Sequence, residues 1–304
     1  MPERMTAAPD ASPAAPEDAL AALRGEIDAL DDALHDLVMR RADVVARMAA
    51  SRVKGDASSF RPGREATILR RLLARHSGPL PPAALARLWR EILSASNAMQ
   101  GGFSVALPEG DAEVYKAARA RFGAMAAPDL RAGPEAALAA LAEGVAQAAV
   151  LPVPAAEGAS AWWAGLDAPR LQVVARLPFY AVAPVPRAMV VTRDGPDPSG
   201  DDRTLLRFAF GHGGDGAAGA AGADEALRAV AGALRDAGLR PSAPTLLSRQ
   251  HDALWALAEV EGAVAADDAR LSALRARLPS NRVRPLGFYA TPIEAAAPDA
   301  GGGE

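Results

Sequence analysis

The chain has 304 residues, enough for about two domains of average size. Half of the residues are hydrophobic, 23% are charged and none is cysteine, which excludes disorder of the whole chain, disulfide bonds, thiolate metal sites and cysteine nucleophiles. The net charge is −4, so the chain lacks the excess of lysine and arginine that is typical of nucleic-acid-binding proteins. We therefore expect a globular protein that binds no nucleic acid and holds no metal.

The two ends of the chain are predicted to be flexible tails, over residues 1–16 and 293–304. The first tail is rich in alanine and proline and has neither a cationic start nor an apolar core, so it does not read as a signal peptide. The most apolar stretch, residues 136–151, is mostly alanine and is interrupted by Glu143 and Gln147, which excludes a membrane span. The lack of cysteine suits a reducing compartment, and we expect a cytoplasmic protein.

Residues 17–54 are predicted to form one long helix, the first of three in a domain over 17–103. The segment contains no proline, and its large apolar side chains recur every three or four positions: Leu20, Leu23, Ile27, Leu30, Leu34, Leu37, Val44 and Met48. At about 1.5 Å per residue the helix spans roughly 55 Å, longer than the two following helices can cover. A second copy of the chain is therefore expected along it. Prolines open those two helices, which run from Pro62 to before Gly78 and from Pro82 to Gly101.

After Phe103 short strand-like runs alternate with helical patterns, which is typical of α/β domains. Over 104–200 we predict an α/β domain with strands at 103–107, 148–153, 171–175 and 188–192 and helices at 111–122 and 135–143. Over 204–292 we predict strands at 205–210, 245–248, 254–260 and 282–289 and helices at 224–237 and 267–278. This βαββαβ order favours a ferredoxin-like α+β domain.

The first helix carries an arginine where its apolar stripe predicts a core residue. The stripe continues to Arg41, and a buried guanidinium needs an anionic partner. Taken alone, Arg41 is equally explained by a polar residue that sets helix register, or by a head group that reaches solvent. Arg52 lies about 20° from Arg41 around the helix and roughly 16 Å along it, so both could contact one small dianion. Lys54 points about 140° away.

The two following helices also direct polar residues toward their apolar faces. Glu65 precedes the apolar face of the second helix, and Ser96 and Gln100 continue that of the third. Each has an ordinary explanation by itself: Ser96 bonds to its own helix, Glu65 is stabilised by the helix dipole and Arg64 is a surface charge. Together these residues predict a small polar pocket in a helical bundle.

Arg24 lies beside the same stripe of the first helix, but roughly 25 Å from Arg41. One small ligand therefore contacts both residues only if two long helices pair antiparallel. In such a dimer Arg24 of one chain approaches Arg41 of the other, and the site is shared.

This pattern resembles the all-helical chorismate mutases, in particular the N-terminal domain of bifunctional chorismate mutase/prephenate dehydratases. The resemblance spans 17–103 with almost no gaps. It is carried by Leu23-Arg24, Ile27-Asp28, Leu30-Asp31, Leu34, Leu37, Arg41, Arg61-Pro62-Gly63-Arg64-Glu65, Ser96 and Gln100. It implies an all-α three-helix fold, an intertwined homodimer with two shared sites, and the Claisen rearrangement of chorismate to prephenate.

The resemblance also implies a role for each residue. It places Arg24 of one chain and Arg41 of the other on the two carboxylates of chorismate. Glu65 would contact the substrate hydroxyl, with Ser96 nearby, and Gln100 would donate to the ether oxygen. A unimolecular pericyclic step needs positioning and charge rather than a nucleophile, and no cofactor is implied.

Two positions depart from the family pattern. Where the family has a lysine at the ether oxygen this chain has Arg52, which we expect to take that role in preference to Lys54. Arg61 stands where relatives can carry an aspartate, and Arg64 would support the site. The predicted catalytic residues are thus Arg41, Arg52, Glu65 and Gln100, and the predicted substrate-binding residues are these four with Arg24, Arg61, Arg64 and Ser96.

The rest of the chain is similar to prephenate dehydratase with its appended ACT regulatory domain. The similarity rests on Leu107-Pro-Glu-Gly110, Ala149-Val-Leu-Pro-Val153, Leu247-Ser-Arg249 and the segment 283–289. The Thr-Arg-Phe motif of dehydratases is matched only in part by Thr192-Arg193-Asp194, and the span from Ala175 to Ala188 is too short for their second lobe. The resemblance implies a reduced, inactive dehydratase-like domain at 104–200 and an ACT-like domain at 204–292, with phenylalanine as candidate effector.

The leading interpretation is a chorismate mutase whose C-terminal half is regulatory or degenerate. One alternative is a bifunctional enzyme that also dehydrates prephenate, and another is a non-catalytic, amino-acid-sensing dimer. The pattern Gly211-His-Gly213-Gly-Asp-Gly216 fits a dinucleotide loop, but the next helix starts too late, near Asp224, to hold a pyrophosphate. Trp162 and Trp163 are predicted to pack at a domain seam.

Overall fold

The structure is a computed structural model that describes residues 16–51, 60–101, 103–123, 126–182, 187–210, 220–250, 253–278 and 283–295. The chain divides into two compact units, Met1–Lys54 and Gly55–Glu304. Three features of the sequence lie outside the described residues, namely the tail before Pro16, the pair Arg52 and Lys54, and the glycine pattern at 211–216. No helix among the described ranges is long and apolar enough to cross a membrane.

The first unit contains one helix, α1, which runs from Pro16 to Ala50. The helix was predicted over 17–54, and Ser51 now forms a turn after it. Its large apolar side chains are 45–59% exposed: Leu20, Leu23, Ile27, Leu30, Leu34, Leu37, Val44 and Met48. The stripe that predicts a partner along this helix is therefore uncovered in the single chain.

The second unit begins with the two proline-opened helices, α2 (Pro62–Ala74) and α3 (Pro82–Ala98). They contact each other, and α2 also contacts strands of the sheet described below. The predicted domain 17–103 is thus divided, since its first helix lies in the first unit and the other two lie in the second.

The α/β part of the second unit contains five further helices and eleven strands within the described ranges. The helices are α4 (Ala112–Phe122), α5 (Pro134–Ala142), a 3-10 helix (Gly158–Gly165), α6 (Ala220–Asp236) and α7 (Ala269–Arg277). The strands are β1 (Ser104–Pro108), β2 (Ala127–Arg131), β3 (Ala148–Pro152), β4 (Gln172–Leu177), β5 (Tyr180–Val182), β6 (Ala188–Thr192), β7 (Asp202–Phe210), β8 (Leu246–Gln250), β9 (Ala253–Glu261), β10 (Val283–Ala290) and β11 (Ile293–Ala295).

Nine of these strands form one sheet, in the order β2-β1-β3-β6-β4-β10-β7-β9-β8. The last four strands are antiparallel to one another and, with α6 and α7, have the βαββαβ order predicted for 204–292. The two regions 104–200 and 204–292 were predicted as separate domains, but their strands join in a single sheet, because β10 pairs with β7 on one side and β4 on the other. Ile293–Ala295, predicted as tail, pair with β5 instead.

The two halves of the sheet meet at Gly287. Its only strand partner on β4 is Val173, and its φ of +126° lies in a region that residues with a side chain rarely adopt. A Cβ at this position would lie 2.2 Å from the carbonyl oxygen of Val173. The junction therefore requires glycine.

Gly287→Ala is expected to lower the free energy of unfolding by about 2–4 kcal/mol, because the cost of the strained φ and the cost of the clash with Val173 add together. Gly232→Ala is the matched control, since this glycine lies inside α6 and a Cβ there meets nothing within 4 Å. Helix propensity predicts that the control gains up to ~1 kcal/mol. Urea unfolding followed by circular dichroism measures both, and equal midpoints for the two variants would contradict the assignment.

The core beneath this junction contains the tryptophan pair. Trp163 is fully buried in one cluster with Leu151 of β3, Leu205 of β7 and Leu286 of β10. The two indoles, predicted at a domain seam, share one core cluster with residues of both regions. The buried Arg207 of β7 holds the same region, because its guanidinium donates to three carbonyl oxygens at the C-terminal end of the 3-10 helix, those of Trp163, Ala164 and Leu166.

Candidate active site

The candidate residues of α1 lie far apart on one helix. Arg24 is exposed, whereas Arg41 is partly buried and lies in an open depression with Leu37, Arg40 and Val44. Because α1 is unbroken from Pro16 to Ala50, about 25 Å separates the two arginines along its axis. One chain by itself therefore does not bring both to the same small ligand.

Asp197 fixes the start of α2, where the motif of residues 61–65 lies. Its Oδ1 accepts a hydrogen bond from the backbone N–H of Gly63 at 3.0 Å, and its Oδ2 accepts one from the N–H of Arg64 at 2.9 Å. The Nε of Arg61 lies 3.3 Å from the same carboxylate. A Cβ on Gly63 would lie 2.0 Å from the Asp197 carbonyl oxygen, which explains the glycine. The exposed side chains of Arg61 and Arg64 are thus presented at a capped helix end.

Glu65 is held by two residues that the sequence did not indicate. Its Oε1 accepts from Asn97 Nδ2 at 3.0 Å, and its Oε2 forms an ion pair with Arg121 of α4. The Glu65 and Arg121 side chains are 12% and 10% exposed. The carboxylate predicted to contact substrate is therefore fixed in place between α3 and α4.

Ser96 and Gln100 both bond to the backbone of α3. Ser96 Oγ donates to the carbonyl of Ile92 at 2.6 Å, and Gln100 Nε2 donates to the carbonyl of Ser96 at 2.9 Å. The ordinary explanation of Ser96, a bond to its own helix, is the one observed. Asn97, which the sequence analysis did not single out, lies between these two residues and joins α3 to Glu65 of α2.

A cleft of about 450 Å³ lies beside Glu65, between α2, α3, α4 and β4. Its apolar walls are buried side chains, namely Ala66, Leu69, Leu93, Ala117, Val174 and Leu177. Five cations also line it, and they are Arg87, Arg90, Lys116, Arg121 and Arg176. Glu65 is the one acidic side chain among its described lining residues. This cation-rich cleft was not predicted, because its residues come from five separate segments.

A buried carboxylate, Glu259, supports the wall of this cleft from behind. It accepts hydrogen bonds from Tyr289, Ser242 and Arg203, and its Oε2 lies 3.6 Å from Nη1 of Arg176. Burial by itself would raise the pKa of Glu259, but these hydrogen bonds and the charge of Arg176 outweigh it and lower the pKa below 4.5. Glu259 is therefore ionised near neutral pH.

The lowered pKa of Glu259 predicts a loss of stability in acid. A carboxyl whose pKa is lower in the folded state stabilises the fold above its unfolded pKa, and that stability is lost as the pH falls through the folded pKa. Glu259→Gln should cost about 2 kcal/mol at pH 7 and flatten the decline below about pH 4.5. Urea midpoints between pH 7 and 3 measure this, with Glu261→Gln on the exposed end of β9 as control. Parallel curves for wild type and Glu259→Gln would refute it.

The eight predicted residues thus fall into separate groups. Glu65, Ser96 and Gln100 lie at the α2–α3 contact, Arg61 and Arg64 lie at the start of α2, and Arg24 and Arg41 lie on α1. Arg52 lies outside the described residues. Their assembly around one ligand stays a prediction. Among the described residues no group of three or more histidine, aspartate or glutamate side chains is placed to hold a metal ion.

Comparison with known proteins identifies the helical segment. The sequence profile of the family described as chorismate mutase type II matches residues 23–101. The bifunctional chorismate mutase/prephenate dehydratase of Pseudomonas aeruginosa is 40% identical over 103 residues, which are 32% of this chain and 28% of that relative. The match therefore spans well under two thirds of the relative's length.

Two solved structures align with much of the chain. A quorum-quenching acylase aligns at 23% identity and a TM-score of 0.42, over 62% of this chain and 96% of its own. Prephenate dehydratase from Arthrobacter aurescens, in complex with L-Phe, aligns at 16% identity and a TM-score of 0.43, over 65% and 95%. At these scores the likeness carries no argument. The sequence match does, and it relates residues 23–101 to the family described as chorismate mutase type II.

Proposed function

We propose that the protein is a chorismate mutase, an isomerase that converts chorismate to prephenate by an intramolecular Claisen rearrangement. The observation that carries the proposal is the family match over 23–101, which contains all eight residues expected at the site, with Arg52 in place of the family lysine. The bifunctional relative named above supports the same chemistry for this segment.

The proposed residues meet the physical needs of this reaction. Chorismate is a flexible dianion, and guanidinium groups at Arg24, Arg41 and Arg52 would hold its reactive folded conformer. A cation and the amide of Gln100 would stabilise the negative charge that grows on the ether oxygen as the C–O bond breaks. No proton transfer is needed, so the site works by position and charge.

Glu65 can accept a hydrogen bond from the substrate hydroxyl and keep its present partners. A carboxylate offers about four acceptor positions, and Asn97 and Arg121 occupy two of them. These two neighbours keep the carboxylate fixed in a partly buried place. Asn97 and Arg121 therefore act as positioning residues for Glu65 under this proposal.

The uncovered stripe of α1 supports the proposed homodimer. Its eight large apolar side chains are about half exposed in the single chain. Burying each of them in a dimer contributes roughly 1 kcal/mol to the free energy of association. Antiparallel pairing of two such helices would also bring Arg24 of one chain to Arg41 of the other. The same step thus buries the stripe and completes the two sites.

For the C-terminal region we propose a reduced dehydratase-like part at 104–200 and an ACT-like part at 204–292 with phenylalanine as effector. The antiparallel order β10-β7-β9-β8 with two helices supports the second part. The second candidate function, a bifunctional enzyme that also dehydrates prephenate, is favoured by the bifunctional relative. The cytoplasmic location also stays a prediction.

One spectrophotometric experiment tests these alternatives. The purified full chain is mixed with chorismate, the decay of chorismate absorbance is followed, and the product is then assayed for phenylpyruvate with and without phenylalanine. Decay well above the spontaneous rate supports the mutase, and phenylpyruvate supports the bifunctional enzyme. Decay at the spontaneous rate refutes both and favours the non-catalytic sensor.

A further inference from the structure

We propose that the cleft between α2, α3, α4 and β4 is a second ligand site, which binds a small organic acid with an apolar body. This site is additional to the proposed mutase site. Among the described lining residues, Glu65 is the one member of the predicted mutase set, and Arg61, Arg64, Ser96 and Gln100 do not line the cleft.

The shape of the cleft fits a small molecule. Its volume of about 450 Å³ falls within the range of about 300–1,000 Å³ that is usual for ligand sites. Leu69, Leu93, Val174 and Leu177 form walls that are at most 7% exposed. Such walls would cover a ring or short aliphatic body, and Phe179 at the edge adds an aromatic face.

Two of the five cations that line the cleft form no salt bridge with the described residues. Lys116 pairs with Glu113, Arg121 with Glu65 and Arg176 with Glu259. Arg87 and Arg90 form no salt bridge with any residue in the described part of the chain. An anion in the cleft would supply the missing partner.

Arg87 and Arg90 are placed to act together. They are three residues apart on α3, so their side chains are neighbours on one face of the helix. Burial, and then the positive charge of Arg121, lowers the pKa of Arg90. Its Nη1 donates a hydrogen bond to the backbone carbonyl oxygen of Ala120 at 3.3 Å. Two guanidinium groups on one face match the two oxygens of a carboxylate.

Arg121 gives an independent sign that the site is built for negative charge. Its side chain is 90% buried between the rings of Phe60 and Phe122, with Cζ 5.0 and 5.1 Å from their centroids. One of its nitrogens, Nη1, is buried and has no hydrogen-bond partner among the described residues. Such a group normally costs stability unless something compensates it. An anion held by Arg90 would lower the repulsion between the two arginines.

The same features argue against a phosphate ligand. Many phosphate sites use free backbone N–H groups at a helix start. The nearest helix start, that of α2, is already capped by the carboxylate of Asp197. A carboxylate attached to an apolar body therefore fits the cleft better than a phosphate does.

Isothermal titration of the full chain with 3-phenylpropionate tests the proposal, with 3-phenylpropan-1-ol as the uncharged probe. We expect the acid to bind with a dissociation constant of about 1 mM or lower, and the alcohol to bind about tenfold more weakly or worse. The double variant Arg87→Gln/Arg90→Gln should raise the dissociation constant of the acid by about tenfold or more. Arg71→Gln, on the exposed surface of α2, is the matched control and should change nothing.

Two further variants separate the cleft from other sites. Ala120→Trp, at the exposed edge of the cleft, should prevent binding of the acid because the indole fills the space. Arg41→Ala should leave the affinity for the acid unchanged. Equal affinity for acid and alcohol, full affinity in the double variant, or no binding of the acid would overturn the proposal. Because binding is measured without turnover, these results stand apart from the presence or absence of mutase activity.

Discussion

Arg41→Ala is expected to lower kcat/KM for chorismate by about 10²- to 10³-fold, the usual cost of removing one fixed group that stabilises charge in a transition state. Arg41 is the one arginine that continues the apolar stripe of α1 within the described residues, and it is partly buried there. A guanidinium in that place would hold one substrate carboxylate and add its field to the breaking C–O bond.

Arg40→Ala is the matched control for this prediction. It removes the same charge from the adjacent position, but Arg40 is exposed and points about 100° away around the helix. Steady-state rates measured by chorismate absorbance should fall sharply in the first variant and little in the second. Equal losses in both variants would mean that general positive charge, rather than a specific contact, supports the reaction.

Mixing Arg24→Ala chains with Arg41→Ala chains is expected to restore about a quarter of wild-type activity from two nearly inactive proteins. In a dimer with shared sites, each mixed dimer contains one intact site and one doubly altered site. Random exchange makes about half of the dimers mixed, so about a quarter of all sites are intact. The separation of roughly 25 Å between the two arginines along α1 is the basis for this expectation.

The exchange is best made by unfolding the mixture in urea and refolding it, with each variant refolded alone as control. Recovery that follows the mixing ratio supports shared sites. If every mixture stays as inactive as its components, both arginines serve one chain's site, and the antiparallel pairing of α1 is wrong.

Much of the fold could be predicted because it depends on patterns among residues that are close together in the sequence. The heptad rhythm of α1 and the paired prolines before α3 depend on neighbouring residues alone. By contrast, β2 was missed because it is an edge strand that contains Pro128 and Asp129 and is largely exposed, so it lacks an apolar signature. The union of the two halves of the sheet was missed because it depends on one pairing, between Gly287 and Val173.

The candidate site shows the same division between local and distant signals. Arg41, Glu65 and Gln100 could be proposed from the sequence because they interrupt apolar faces or fit a family motif. Asp197 and Arg121, which fix α2 and Glu65, lie 134 and 56 residues away from the groups that they bind. Nothing near either residue in the sequence distinguishes it from an ordinary surface charge.

The place of β10 in the sheet has a consequence for how the chain is made. This strand comes from residues 283–290, yet it lies between β4 and β7. During synthesis, the earlier strands leave the ribosome first, and both β4 and β7 then present an open edge until β10 emerges. Translation that stalls before this strand would thus release a nascent chain with two unpaired edges, and such a chain is a natural substrate for chaperones.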